Sequence, residues 1–221
     1  RMTEVAFDRL DIIIPVYRGE VAVRRCLDSV LASDAMEIAD VVIINDASPE
    51  PGISAFLDEL AAKSSVSIIN HDLNQGFVAS VNAGAALHHD RDFVILNADT
   101  EVARDWLQRL RQHGADCLTA ATVTPFSNNA TIASYPQLVA DNVLPPGEHT
   151  EDLYKRFAKV NAGQVLEMPT AVGFCTWVRR SAWEDAEGFD PIFGRGYGEE
   201  VDFCCKLSAK GWQHFLATDV F

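Results

Sequence analysis

Two short acidic clusters hold the residue types that could do chemistry in this chain. The first is "VILNADTEV", in which Asn97, Asp99 and Glu101 follow an apolar stretch. Carboxylate and amide oxygens at the end of a buried strand are hard donors on a rigid support. Such a site holds Mg²⁺ or Mn²⁺ through one or two carboxylates, with phosphate oxygens and water completing the shell. The same residues also fit plain turn chemistry, with Asp99 or Thr100 capping a helix that begins near Ala103. The second cluster is "GYGEEVDFC", where Glu199, Glu200 and Asp202 open a helix. Helix dipoles favour acidic residues at that place. Crowding among three carboxylates would also raise at least one pKa, as abstraction of a hydroxyl proton requires.

Weaker signals lie upstream. Asp46 closes "VVIINDAS" and fits either an Asx turn or a carboxylate accepting hydrogen bonds from a ribose or base. Tyr17, after "IIIPV", fits a rim aromatic or a ring beside a nucleobase. In "HDLNQGFVASVNAG", Gly76 precedes a helix whose N-terminus would favour an anion, and glycine lets backbone approach a ligand closely. A simple loop-to-helix turn accounts for it equally well, and neither a Walker A nor a GxGxxG pattern is present. His88 and His89 are explained by a helix end. Cys204 and Cys205, adjacent on a helix, point in different directions and make no zinc pair.

These residues need elements to position them. Apolar runs at 10–16, 40–46, 66–70 and 92–99 alternate with helical periodicities at 20–33, 53–63, 76–89 and 103–113. Continuous apolar strands separated by helices predict a mainly parallel sheet covered on both faces. Ligands of such sheets sit outside the carboxyl ends of the strands. Tyr17, Asp46, Asn70, Asn97 and Asp99 fall at those ends, so they should converge on one rim. From about residue 124 the chain becomes loop-rich, with prolines at 125, 136, 145 and 146. A helix at 150–162, a strand within 171–180, a glycine-punctuated loop at 188–200, a helix at 200–211 and a last strand from Trp212 follow. One domain over 1–221 is expected, with halves at about 10–123 and 124–221.

Composition narrows the function classes. The 221 residues are 48% hydrophobic and 23% charged, with a formal net charge of −14. That charge repels nucleic-acid backbones and anionic lipid. A diphosphate ligand would need local compensation from a helix N-terminus or a divalent cation. No apolar run approaches the roughly 20 residues that cross a bilayer, and the opening "RMTEVAFDRLD" lacks a signal-sequence pattern. Five cysteines without CxxC spacing are expected as reduced core residues in an intracellular setting.

The chain resembles family-two glycosyltransferases of the GT-A fold. The resemblance is carried by "DIIIPVYRGEVAVRRCLDSVLAS", "VVIINDAS", "NQGFVASVNAGAAL", "VILNADTEV" and "GFDPIFGRGYGEEVDFCCKLSAKGW", in the family's order over most of residues 11–215. "LNADTEV" and "GYGEEVDFC" are most similar to rhamnosyltransferase-like bacterial enzymes that build surface polysaccharides. The resemblance implies a Rossmann-like α/β sheet flanked by helices, with a loop-rich acceptor side. It implies inverting, Mn²⁺- or Mg²⁺-dependent transfer of a hexosyl or deoxyhexosyl group. The donor would be a UDP- or dTDP-sugar, and the acceptor a hydroxyl of a glycan or lipid-linked molecule. The implied setting is cytoplasmic, peripheral at the inner face of the membrane.

The resemblance also implies roles for single residues. Pro15, Val16 and Tyr17 would line the nucleotide pocket, Asp46 would hold the base or ribose, and Asn74, Gly76 and Asn97 would approach the nucleotide. Asn97 to Asp99 stand at the family's DxD motif; its first carboxylate is replaced by Asn97, leaving Asp99 as the metal ligand. Glu199 and Glu200 fall on the acidic pair before the last helix, with Asp202 close by. Glu200 is the implied base, one methylene longer than the usual Asp. Phe174 and Cys175 lie where the family's acceptor site forms. Family members typically continue past "ATDVF" with a His that completes the metal site, which implies that this chain stops short of it. A sugar-nucleotide pyrophosphorylase would carry a Gly-rich, basic loop where this chain has "PVYRGEVAV". The alternative from another class is a non-catalytic nucleotide-sugar or partner-binding domain of a larger synthase.

Overall fold

The β-branched runs fold as the strands they predict. In the computed structural model, which describes residues 9–221, they form β1 (Leu10–Val16), β2 (Ala39–Asn45), β3 (Val66–Asn70) and β4 (Phe93–Leu96). The charged opening segment, expected to carry no signal sequence, lies outside the described residues up to Asp8. Helices α1 (Glu20–Ala32), α2 (Pro51–Lys63), α3 (Phe77–Ala85) and α4 (Trp106–Asp116) alternate with these strands. The second half adds β5 (Ala120–Pro125), α5 (Thr150–Val160), β6 (Val165–Met168), β7 (Cys175–Val178), α6 (Arg180–Asp185), α7 (Glu199–Ser208) and β8 (Gln213–Ala217).

All eight strands join one sheet in the order β3-β2-β1-β4-β7-β5-β8-β6. The first-half strands pair in parallel, as expected. The second half is mixed, because β7 runs antiparallel to both β4 and β5, and β6 antiparallel to β8. With β5 parallel to β8, four of the seven pairings among the described residues are parallel, and the antiparallel ones all fall on β6 and β7. The register brings functional positions to one rim: Val16 lies opposite Asn45, and Asn45 opposite Asn70. The inverted β7 starts at that same rim, with Cys175 opposite Leu96.

Strand alternation divides the core between the two faces. Ile12, Ile14 and Val16 pack with α1, α2 and α4, while Ile13, Val42 and Ile44 pack with α3, α6 and α7. Asp11 is wholly buried at the opposite end of β1, where His88 Nδ1 lies 2.9 Å from its carboxylate and the Arg91 guanidinium donates at 3.3 Å. His88 and His89 therefore do not terminate a helix, since α3 stops at Ala85, and the His88 ring lies against a buried acid instead. All five cysteines are free. Burial pushes the thiols of Cys26 and Cys204 up to about 12 and about 11. Cys117 is half-buried and Cys205 exposed, so the expected core placement fails for these two. Cys205 takes the outward side of α7 because its neighbour Cys204 faces in. Among the described residues no helix is long and apolar enough to cross a membrane.

One packing contact makes a checkable statement. A Cβ added at Gly114 in α4 would meet three ring atoms of Trp177 at 2.5, 2.6 and 2.7 Å. Trp177 is 1% exposed and has no room to retreat. Overpacking costs about 1–3 kcal/mol, whereas Ala gains roughly 1 kcal/mol over Gly in a helix. Gly114→Ala is therefore predicted to lower stability by up to about 2 kcal/mol in urea unfolding. Increased stability would contradict this packing.

Candidate functional site

The rim of the sheet carries two clefts and, between them, a carboxyl pair. The first cleft, of about 260 Å³, is lined by Pro15, Val16, Tyr17, Asp46, Asn74 and Gly76, together with Phe77, Ser80 and Arg195. It thus gathers the residues expected to meet a nucleotide, except Asn97. Tyr17 is half exposed at the mouth, with the Arg18 guanidinium over its ring at 5.1 Å.

Asp46 is bonded into a neighbouring loop. Its Oδ1 accepts from the Gln75 backbone N–H and pairs with His71 Nδ1, and its Oδ2 accepts from Asn74 Nδ2 and the Gly76 backbone N–H, all at 2.8 Å. A carboxylate offers about four acceptor positions, and here the 71–76 loop uses all of them. Asp46 accordingly holds this loop while it lines the first cleft, where the expected contact with a ribose or base would be made. It also places a negative charge at the start of α3, so that helix N-terminus is already occupied by the protein's own anion.

Gly76 serves the protein in a way its sequence context does not reveal. Its backbone, at φ 91° and ψ 175°, lies in a region open essentially to glycine alone. An added Cβ would meet Arg195 Cα at 2.5 Å and the Gly194 carbonyl oxygen at 3.1 Å. The next residue, Phe77, donates its N–H to the Arg195 carbonyl at 3.3 Å. Close approach at Gly76 is therefore to another loop of this chain.

The second cleft, of about 340 Å³, is lined by Asn97, Asp99, Glu101, Phe174 and Cys175, with Arg25 and the 125–129 segment among the remaining walls. The Phe174 carbonyl accepts from the Asn97 N–H at 2.7 Å, which fixes the start of β7 against the end of β4. Cys175 is 1% exposed, and burial raises its thiol far above the usual range.

Glu199 and Glu200 open α7 behind the Gly194–Gly198 loop, three residues of which have positive φ as glycines and one, Tyr197, as a non-glycine. Glu199 is 5% exposed. Burial raises its carboxyl above the usual range, and the neighbouring Glu200 charge adds to this, against backbone hydrogen bonds that lower it. The Oε2 atoms of both residues are buried without a hydrogen-bond partner. Glu200 borders a small internal space beside Gly173, Thr176 and Phe77, between the two clefts. Asp202 does not join them: its carboxylate binds Lys206 at 2.7 Å, one helical turn on. The expected cluster of three is a pair.

Residues 11–186 match the family described as Glycosyl transferase family 2. The chain belongs to that family. EpsJ of Bacillus subtilis (strain 168), described as an uncharacterized glycosyltransferase, is 26% identical over 148 residues, which cover 65% of this chain and 42% of EpsJ. Among solved structures, GalNAc-T7 with UDP, GalNAc and Mn²⁺ superposes at a TM-score of 0.74 with 17% identity, over 98% of this chain and 43% of that one. The mannosyltransferase PcManGT from Pyrobaculum calidifontis, in complex with GDP-Man and Mn²⁺, superposes at 0.67 with 18% identity, over 97% of this chain and 58% of that one. At such identities the likeness shows a shared GT-A fold. The chain spans about half the length of these relatives.

Within the family's frame, the second cleft is where a divalent cation would be held. Among the described residues, no group of three or more His, Cys, Asp and Glu side chains forms a ready metal cage. Asp99 makes no hydrogen bond or ion pair among the described residues and faces the cleft beside the Asn97 amide. One carboxylate and one amide oxygen suit Mg²⁺ or Mn²⁺ that shares its shell with a diphosphate and water, and do not suit zinc. Two cations of the site, Arg25 and Arg195, were not singled out from the sequence. For Arg195 the signal was there, as the one charged residue before the acidic pair in "GRGYGEE".

The buried carboxyl pair predicts a pH effect of definite sign. A raised folded-state pKa means that Glu199 contributes stability below its unfolded value of 4.5, lost as pH rises through the folded value. Replacing Glu199 by Gln removes this dependence. Urea unfolding across that window should show the wild type losing stability relative to Glu199→Gln as pH rises. A difference that stays constant with pH would contradict the assignment.

Proposed function

We propose that this chain is the catalytic domain of an inverting, metal-dependent glycosyltransferase. On this reading it moves a hexosyl or deoxyhexosyl group from a nucleoside-diphosphate sugar, UDP- or dTDP-linked, to a hydroxyl of a glycan or lipid-linked acceptor. The implied role is surface polysaccharide synthesis, as in the rhamnosyltransferase-like subgroup, at the cytoplasmic face of a membrane. The observation that carries the proposal is the Glu199–Glu200 pair. Glu199 is buried, the Oε2 atoms of both are buried without a partner among the described residues, and Glu200 lines an internal space that shares Phe77 with the first cleft and reaches Gly173, next to Phe174 of the second.

The two carboxyl groups take different parts. Burial raises the Glu199 carboxyl above the usual range, so it binds a proton more readily than an exposed glutamate. Glu200 accepts the proton from the acceptor hydroxyl through its Oε2, which has no hydrogen-bond partner among the described residues. Proton removal by a positioned base is worth about 10²–10⁴-fold. Tyr17 and the walls of the first cleft hold the nucleoside, and Phe174 and Cys175 border the space for the acceptor. A bound Mg²⁺ or Mn²⁺ on Asp99 and Asn97 would supply Lewis-acid stabilisation of the leaving diphosphate.

A thermal-shift screen of nucleoside diphosphates and nucleotide sugars, with and without Mn²⁺, tests the donor class, since binding stabilises the native state by mass action. Asp99→Ala should abolish the Mn²⁺-dependent part of donor binding while leaving the melting temperature of the free protein within a few degrees. Equal donor affinity with and without Mn²⁺ in the wild type would remove Asp99 from that role. Glu200→Gln should keep donor binding and lose transfer, and also the slow hydrolysis of nucleotide sugar. Turnover retained in Glu200→Gln would move the base to Glu199. Donor binding with neither transfer nor hydrolysis in the wild type would favour a non-catalytic nucleotide-sugar-binding domain.

A further inference from the structure

We infer that Arg195 is the donor-diphosphate anchor of the first cleft, and that it ties donor binding to the catalytic carboxyl pair. The inference rests on the proposed donor class and adds a positioning residue to it. A diphosphate entering a chain of net charge −14 needs local positive charge. At the entrance to α3 three backbone donors are already taken: the Asp46 carboxylate accepts the Gln75 and Gly76 N–H groups, and the Arg195 carbonyl accepts that of Phe77. Among the residues lining the cleft, Arg195 carries the one positive charge.

The Arg195 side chain is also available. It is exposed, and its guanidinium makes no ion pair or hydrogen bond among the described residues. By contrast, Arg24, Arg91, Arg109 and Arg156 are all committed to carboxylates. Arg18, the other cation near this mouth, already lies over the Tyr17 ring and near the Glu50 charge. A guanidinium suits phosphate because its planar donors bind two oxygens at once.

The backbone of Arg195 is held while its side chain is free. It abuts Gly76 so closely that no Cβ fits between them, and its carbonyl is bonded to Phe77. Three residues later the same loop reaches the cap of α7, where Glu199 and Glu200 begin. A phosphate gripped by Arg195 therefore sits on the loop that presents the carboxyl pair. A free nucleoside, lacking phosphate, engages the cleft without that contact.

The test compares UDP, GDP and dTDP with their own nucleosides by calorimetry in the presence of Mn²⁺, on wild type, Arg195→Ala, Arg195→Lys, Arg18→Ala and the surface control Lys159→Ala. Arg195→Ala should weaken the bound diphosphate roughly 10- to 100-fold and leave its nucleoside within about twofold. Arg195→Lys should recover part of the loss, and the control should match wild type. Unchanged melting temperature in Arg195→Ala would confirm that its side chain carries no structural load. Equal diphosphate affinity in Arg195→Ala and wild type would overturn the inference while leaving the proposed donor class intact. So would an equal loss for nucleoside and diphosphate, or a phosphate-specific loss in Arg18→Ala in its place. Wild type binding none of the three diphosphates would overturn the donor class and this inference together.

Discussion

Much of the site depends on one saturated carboxylate. Asp46 ends the second strand of the sheet and spends both oxygens on His71, Asn74, Gln75 and Gly76. Those bonds fold the 71–76 loop over the strand ends and cap the third helix. Gly76, held there, offers a surface without a side chain, against which Gly194 and Arg195 lie. The same Gly194–Gly198 segment delivers Glu199 and Glu200 to the space between the clefts. Loss of the Asp46 clamp would thus disturb the nucleotide wall and the carboxyl pair at once, though they lie over 150 positions apart in sequence.

Electrostatics divides the rim into regions with different tasks. In the first cleft the acidic residue is hydrogen-bonded by its own loop, and the Arg195 guanidinium at the mouth has no partner among the described residues. In the second cleft the order is reversed, with Asp99 left unpaired beside Asn97. Between them, burial favours a proton on Glu199. One diphosphate sugar lying across both clefts would meet a cation at one end and a cation-binding carboxylate at the other. That pattern suits a domain of this family whose overall charge is strongly negative.

The first half of the fold was legible because its strands are apolar runs rich in β-branched residues, from "DIIIPV" to "FVIL", and three of the four are almost wholly buried. The fifth strand was not, because "AATVTP" is built from Ala and Thr and has no apolar run, although every one of its residues is buried. The sixth, "VLEM", lies at the sheet edge and is mostly exposed, so no buried pattern marks it. The reversal at the seventh strand comes from pairing partners distant in sequence, which local periodicity does not encode. In the site, the identity of the polar residues at the strand ends was legible, but their partners were not. An Asp that holds a loop and one that only faces a ligand look the same in sequence. Asp202 looked like a third member of the acidic cluster until its ion pair with Lys206 turned it away.

The central claim is that the Asp46 carboxylate already holds the 71–76 loop in the free protein. Amide hydrogen exchange at Gln75 and Gly76, measured by NMR without and with UDP and Mn²⁺, tests it most directly. The account predicts that both amides are protected in the free protein and that nucleotide alters them no more than their neighbours. Rapid exchange in the free protein, with protection appearing only when nucleotide binds, would contradict it.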